Sequence, residues 1–530
     1  MSGLSSRRAR VAIGSLTGMV AIAGGLALGG THRVDPAAAA ARPDQPNIVL
    51  IQSDDQTIGE LSRQVMPTLK RDLISRGTKF NNYMVTTGEC CPSRASLITG
   101  QYAHNDGVSS NQVGYAGLRG KQDVLPAWLK KSGYRTMHVG AKYLNGYREE
   151  EGKKVAPGWS NWFTVLSHTQ YYNYLLSDDG HRQRRGDRPR DYVGRVLGKE
   201  SKKLIHRYAP QRRPFYLQLD TRAPHVSRKD DPFGPCDKEA IPDKRDEGKF
   251  DHAPLPRPPS YDERNMSDKP AFLRSIPRIG SRFQEHLTSK WRCALASLVS
   301  VDRNIGQVYN AVKKEGELGR TVFVFISDNG LFFGEHRLVQ GKVFPYEEAI
   351  HMPLVMRVPD RYRDGAPRVR RSGDLVANID LAPTILDLAH ARPCAGGTCR
   401  TMDGRSLMPL LTGQGHWPRD RALLNEYRVG DLPRYSTCKF AAIRTRREIY
   451  VEHYRVVNPK TGECHQTLQK ERYDLKRDPF ELNSLCFGGD ADSCPHDSKQ
   501  NELERRLQRL RECAGIEGRD KPVGNRPFCE

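Results

Sequence analysis

Five short runs of nearly unbroken apolar residues punctuate the chain: PNIVLIQSDD (46–55), YRTMHVG (134–140), PFYLQLD (214–220), TVFVFISDNG (321–330) and PLVMRVP (353–359). Runs of this length, rich in β-branched residues and without polar alternation, predict parallel strands buried on both faces. Between them, DVLPAWLKKSG (123–133) and ALASLVSVDRNIGQVYNAVKKEG (294–316) repeat their apolar residues at helical spacing. Strands alternating with helices predict an α/β fold in which a large, mostly parallel sheet is sandwiched by helices. Residues 226–290 are rich in proline and charge and lack a period, so they read as a surface insertion. Beyond about 380 the pattern changes. KFAAIRTRREIYVEHYRVV (439–457) reads as antiparallel strands, and SKQNELERRLQRLREC (498–513) sets Leu503, Leu507 and Leu510 on one helical face suited to docking. The chain thus divides into an α/β domain over 42–380 and a smaller α+β subdomain over 381–530.

The first 41 residues stand apart. Arg7, Arg8 and Arg10 precede VAIGSLTGMVAIAGGLALGG (11–30) and then AAAAA (37–41), the order of an export signal. The apolar run approaches the ~20 residues of a membrane anchor, but its glycines and alanine-rich exit favour a cleaved signal, so no stable membrane insertion is expected afterwards. SSRRAR (5–10) resembles the twin-arginine type. Twelve cysteines in an exported chain imply disulfides. Eight of them (Cys394, Cys399, Cys438, Cys464, Cys486, Cys494, Cys513 and Cys529) fall in the last quarter, and Cys394 with Cys399 could close a local loop.

Net charge is +22, and residues 1–41 hold four Arg and one Asp, so about +19 remains beyond them. A basic balance favours anionic partners, among them acidic polysaccharides. RQRRGDRPR (182–190) is the densest basic run. No zinc finger, RNA-binding aromatic signature or basic zipper accompanies it, so no nucleic-acid partner is expected.

Candidate chemistry sits at the strand ends. Asp54 and Asp55 follow the first run, and Asp328 and Asn329 follow the fourth. An acid after a strand is often only a turn or cap residue. In open α/β sheets, however, ligands bind at the carboxyl ends of strands, and four oxygen donors converging there would suit Ca²⁺ or Mg²⁺. The third element is TTGECCPSRASLITGQY (86–102), where Cys90 and Cys91 are adjacent. Neighbouring cysteines rarely bond to each other, so each pairs elsewhere or one serves chemistry.

Cys90-Cys91-Pro92-Ser93-Arg94 followed by a small-residue helix resembles the signature of the type I, formylglycine-dependent sulfatases. SDD (53–55) and SDNG (327–330) resemble that family's metal-binding segments. GAKYLNGY (140–147) with APGWSNW (156–162) resembles the N-acetylglucosamine-6-sulfatase and heparan-sulfate 6-sulfatase branch. APHV (223–226), GEHRLVQGKVFPYEEAIHMPLVMRVP (334–359), NIDLAPTILDLA (378–389), DGRSLMPLL (403–411) and YDLKRDPFELNSL (473–485) extend the resemblance in order along the chain.

The resemblance implies an alkaline-phosphatase-like superfold with its catalytic domain in 42–380. It implies that Cys90 is oxidised to formylglycine by a formylglycine-generating enzyme, and that position 90 joins Asp54, Asp55, Asp328 and Asn329 around Ca²⁺, with Mg²⁺ the alternative. The hydrated aldehyde carries two hydroxyls on one carbon: one takes the sulfuryl group, the other expels it, which a plain thiol or serine cannot do. Arg94 would stabilise the hydrate, Lys142 and Lys342 would bind sulfate oxygens, and His225 would protonate the leaving oxygen. Leu144 stands where many sulfatases carry a histidine, and Ala141 replaces the usual glycine; His336 is then a candidate for the missing base.

The expected substrate is a sulfated carbohydrate or aryl sulfate. Two other readings stay open at this point. One is a phosphate or phosphonate monoester hydrolase of the same superfold. The other is a sulfated-polysaccharide-binding protein in which Cys90 remains a thiol.

Overall fold

The structure, a computed structural model, describes residues 44–147, 154–166, 170–339, 341–395, 398–428, 439–458, 463–486 and 493–530. The expected signal at 1–41 and Cys438 lie outside them.

Ten strands form one mixed sheet: β1 (Asn47–Asp54), β2 (Thr78–Met84), β3 (Arg135–Gly140), β4 (Asn161–Val165), β5 (Leu175–Asp178), β6 (His181–Arg184), β7 (Phe215–Pro224), β8 (Thr321–Ser327), β9 (His351–Arg357) and β10 (Arg371–Ala377). Their order is β10-β2-β9-β8-β1-β7-β3-β4-β5-β6. The central five, β8-β1-β7-β3-β4, run parallel. The unbroken apolar runs follow from cover on both faces: Ile48 and Leu50 of β1 enter one hydrophobic layer and Val49 and Ile51 the other, and β8 sends Val322, Val324 and Ile326 against Phe323 and Phe325. Helices Cys90–Thr99, Leu125–Lys131 and Leu381–Leu388 fill the first layer. Helices Val193–Tyr208 and Ser281–Lys314 fill the second through Leu197, Leu204, Leu298, Val301 and Ile305.

Two expectations change. PLVMRVP forms β9, but it pairs antiparallel with β8 and β2; burial on both faces makes the run apolar and leaves its direction unspecified. The long helix begins at Ser281, inside the stretch read as an insertion. Its first turns are mostly exposed and polar, so no apolar period announces them.

After a short ribbon, β11 (Cys394–Ala395) with β12 (Thr398–Cys399), the C-terminal part builds an antiparallel sheet in the order β13 (Ala422–Arg428), β14 (Lys439–Thr445), β15 (Glu448–Asn458) and β16 (Glu463–Asp474). Helix Ser498–Leu510 buries Leu503, Leu507 and Leu510, as its spacing predicts. Disulfides join Cys394 to Cys399, Cys486 to Cys494, Cys513 to Cys529, and Cys236 to Cys293. Cys90 and Cys91 are free and buried. Among the described residues no helix is long and apolar enough to cross a membrane.

Candidate active site

Four adjacent parallel strands, β8, β1, β7 and β3, end on one edge of the sheet, and this register assembles the site. Ser53 pairs with Ser327 and Asp54 with Pro224. Asp54 and Asp55 therefore meet Asp328 and Asn329 on one side and His225 on the other, with Lys142 two residues past the end of β3. Asp55 takes a left-handed backbone, φ 72°, an uncommon conformation for a residue with a side chain. Its N–H donates to Asp328 Oδ1 at 3.1 Å, and Asn329 Nδ2 donates to Asp55 Oδ1 at 2.7 Å.

The signature helix supplies the other half. It starts at Cys90, two residues before Pro92, and every one of its residues is buried. Cys90 thus sits at the positive, N-terminal end of the helix. Its Sγ lies 3.4 Å from Asp54 Oδ1 and 3.7 Å from Asp55 Oδ1. Lys342 reaches it from the loop after β8: Nζ is 2.8 Å from Cys90 Sγ, 3.4 Å from Asn329 Oδ1, and also donates to Asp55 Oδ1. A backbone bridge between Gly88 and Val343 sets this approach. A Cβ on Gly88 would stand 3.2 Å from the Val343 carbonyl oxygen, so a side chain there would push the loop that carries Lys342 away.

Arg94 donates through Nε to Asp328 Oδ2 at 2.8 Å and reaches Asp54 and Asp220 at 3.5 Å each. Asp220 and Arg222 belong to no motif that the sequence discloses. Arg222 is fully buried, donates to the Ala141 carbonyl at 2.6 Å and lies 3.6 Å from Asp54 Oδ2. Asp220 accepts from His138 Nε2 at 2.9 Å. Two charges inside an otherwise apolar strand were the available signal, since buried charges persist only when paired. His336 is not brought to this group. Its Nδ1 binds Glu263 at 2.9 Å and its ring stacks on Tyr346.

Electrostatics follow from this crowding. Burial raises the Asp54 carboxyl, but Lys142, His225, Arg94 and Arg222 outweigh it and hold the acid below its usual range. Burial pushes the Cys90 thiol far up, although Lys142 and Lys342 oppose the rise. A plain thiol here stays protonated and is a poor nucleophile at neutral pH. Burial lowers His225 to about 4 despite Asp54 and Asp55. Its Nδ1–H donates to the Val226 carbonyl at 2.7 Å, which leaves Nε2 facing the site, 3.8 Å from Asp55 Oδ2. Ligand atoms of Asp54, Asp55, Cys90 and His225 lie within 4.8 Å of one another. Asp54 Oδ2 is buried without a hydrogen-bond partner. The carboxylates of Asp54, Asp55 and Asp328 and the amide oxygen of Asn329 are hard oxygen donors, and they fit a divalent cation such as Ca²⁺ or Mg²⁺.

The same stretch of chain matches a known family. Residues 46–391 fit the profile named Sulfatase, and 334–513 fit N-sulphoglucosamine sulphohydrolase, C-terminal. The chain belongs to the sulfatase family. The extracellular sulfatase SULF-1 homolog of Drosophila melanogaster is 33% identical over 72% of this chain and 32% of its own length, so the chain spans about a third of that relative. N-acetylglucosamine-6-sulfatase of Capra hircus is 30% identical over 92% of this chain and 87% of its own, which supports that branch. Among solved structures, one in complex with its substrate D-glucosamine-2-N,6-O-disulfate superposes with a TM-score of 0.66 at 24% identity, covering 88% of this chain and 97% of that one. The phosphonate monoester hydrolase of Agrobacterium radiobacter superposes at 0.63 and 19% identity, covering 88% and 95%. The sulfatase fold is therefore common to both chemistries.

Proposed function

We propose that this sulfatase-family chain is an exported hydrolase of sulfate monoesters on sugars, with 6-sulfated glucosamine units the leading substrate class and aryl sulfates also accepted. The observation that carries the reading is the position of Cys90: a buried helix N-terminus within reach of three carboxylates, one amide and two lysines. Position 90, once oxidised to formylglycine by a formylglycine-generating enzyme, supplies a hydrated aldehyde as nucleophile. Asp54, Asp55, Asp328, Asn329 and position 90 would hold the divalent cation, which when bound would supply Lewis-acid polarisation of the sulfate.

The chain's own residues do the rest. Arg94, anchored on Asp328, would stabilise the hydroxyls at position 90. Lys342 and Lys142 offer ammonium groups to the sulfate oxygens and share the charge that develops during transfer. The arriving anion raises the proton affinity of the His225 ring, so that Nε2 donates to the departing sugar oxygen while Nδ1 stays tied to the Val226 carbonyl. Asp220 and Arg222 lock Arg94 and Asp54 against the strand ends. The goat enzyme's name and the KYLNGY and PGW segments support a glucosamine 6-sulfate substrate, and the basic charge suits a sulfated polysaccharide. The names of the extracellular relatives support export.

A phosphonate or phosphate monoester hydrolase remains the rival, because the fold is shared. Matched sulfate and phosphonate monoesters, assayed with and without chelator, separate the two. Faster turnover of the sulfate ester supports the proposal, and preference for the phosphonate contradicts it.

A further inference from the structure

Three buried polar side-chain atoms from two separate segments converge with no hydrogen-bond partner: His336 Nε2, Glu348 Oε2 and Glu481 Oε1. Ligand atoms of these residues lie within 4.8 Å of one another, and His336 Nε2 is 3.8 Å from Glu348 Oε2. His336 is 0% and Glu481 1% exposed. An unpartnered polar atom at such depth is destabilising, so three in one place call for a shared partner.

Each of the three side chains is oriented through its other polar atom. His336 Nδ1 donates to Glu263 Oε2 at 2.9 Å, Ser260 Oγ donates to Glu348 Oε1 at 3.0 Å, and the Glu347 N–H donates to Glu481 Oε2 at 3.0 Å. With one ring proton held on Nδ1 by Glu263, the neutral ring presents Nε2 as a lone pair, the arrangement usual for metal-bound imidazole. His336 and Glu481 both take left-handed backbones, φ 50° and 53°, conformations that residues with side chains adopt mainly where the surroundings enforce them.

Neighbouring cations are already engaged. Lys269 pairs with Glu263 and Asp268, and Arg444 with Glu347. Among the described residues no lysine or arginine forms an ion pair with Glu348 or Glu481. Burial, then Glu347 and Glu348, drives the Glu481 carboxyl well up, so the group must gain either a proton or a cation.

We propose that His336, Glu348 and Glu481 form a second metal site, separate from the one at Cys90 and selective for a borderline divalent ion, Zn²⁺ in particular. One imidazole nitrogen with two carboxylates suits zinc with an open fourth position, whereas the oxygen-rich donors at Asp54 suit a hard ion. His336 and Glu348 flank Lys342 in sequence, and Glu481 lies beyond β16. A bound ion would therefore fasten the loop that carries Lys342 to the C-terminal part of the chain.

The test is diffraction at the zinc edge from crystals of the unmutated full chain soaked in Zn²⁺, joined with zinc stoichiometry in solution for the unmutated protein, Glu481→Gln and Asp328→Asn. The proposal expects an anomalous peak about 2.0–2.1 Å from His336 Nε2, loss of one zinc equivalent in Glu481→Gln, and its retention in Asp328→Asn. No peak at that position, or equal zinc content in the unmutated protein and Glu481→Gln, overturns it in favour of a protonated carboxyl. The peak in unmutated protein decides the matter should Glu481→Gln fail to fold.

Discussion

Lys342 Nζ lies 2.8 Å from Cys90 Sγ and also donates to Asp55, so one ammonium ties the signature helix to the end of β1. A lysine held in that place acts on whatever anion reaches position 90. Lys342→Ala is expected to lower kcat/KM for sulfate monoesters about 10²–10³-fold, the range for loss of one electrostatic contact to a transition state. Steady-state kinetics check this, with circular dichroism to confirm the fold.

His225 makes a sharper distinction. If Nε2 protonates the leaving oxygen, His225→Asn should cost about 10²–10⁴-fold on a sugar sulfate, whose alkoxide leaves poorly. On a nitrophenyl sulfate the loss should be much smaller. Equal losses on both substrates would assign the ring to binding alone.

The oxygen donors predict a metal requirement. Treatment with a calcium-selective chelator should abolish sulfate release, and added Ca²⁺ or Mg²⁺ should restore it. Asp328→Asn should weaken the restoring ion's apparent affinity, read from activity against free metal concentration.

Arg222 is fully buried between Asp54 and the Ala141 carbonyl. Arg222→Leu leaves that carboxylate with one counter-charge fewer, and breaking a buried ion pair costs about 3–5 kcal/mol. Urea denaturation should show a loss of that order, while the charge-preserving Arg222→Lys loses less.

The pH dependence of stability has a local source at His104. Its Nδ1 faces Glu426 at 2.7 Å and its Nε2 the Cys513 carbonyl at 3.0 Å, so both ring nitrogens need protons. Burial lowers this ring's pKa, but Glu426 and its hydrogen bonds outweigh burial and push it up to about 9 from 6.5. The raised folded value gives stabilisation that is complete below 6.5 and is lost as pH rises through 9. Glu426 is held below 4.5, where His104 and hydrogen bonding outweigh burial, so its share is complete above 4.5 and is lost as pH falls. Denaturation midpoints between pH 6 and 9 should fall more steeply in the unmutated chain than in His104→Gln.

How far the sequence discloses this molecule depends on what each residue type must satisfy. The central strands are legible because double-sided burial demands unbroken apolar runs, and Asp54, Asp55, Asp328 and Asn329 interrupt those runs at their ends. Strand direction is not encoded in such a run, hence the antiparallel β9. Edge strands are hidden for the opposite reason: β6 is mostly exposed and reads HRQR, which has no apolar signal. Arg222 and Asp220 carry no motif signal because their partners come from other strands and from the signature helix. His336 binds Glu263 while Lys342 binds Cys90 and Asp55, so a separation of six residues in sequence is no guide to where a side chain points.

The central claim is that position 90 acts as a converted side chain. The most direct test is to quantify, by mass spectrometry, the fraction of formylglycine in the peptide containing residues 90–94 across preparations made with and without a formylglycine-generating enzyme, and to measure sulfate release from each. The account predicts that release scales with the converted fraction and vanishes in Cys90→Ala. Fully converted, calcium-loaded protein that leaves sulfate esters intact would contradict it, as would equal release from the unconverted thiol form.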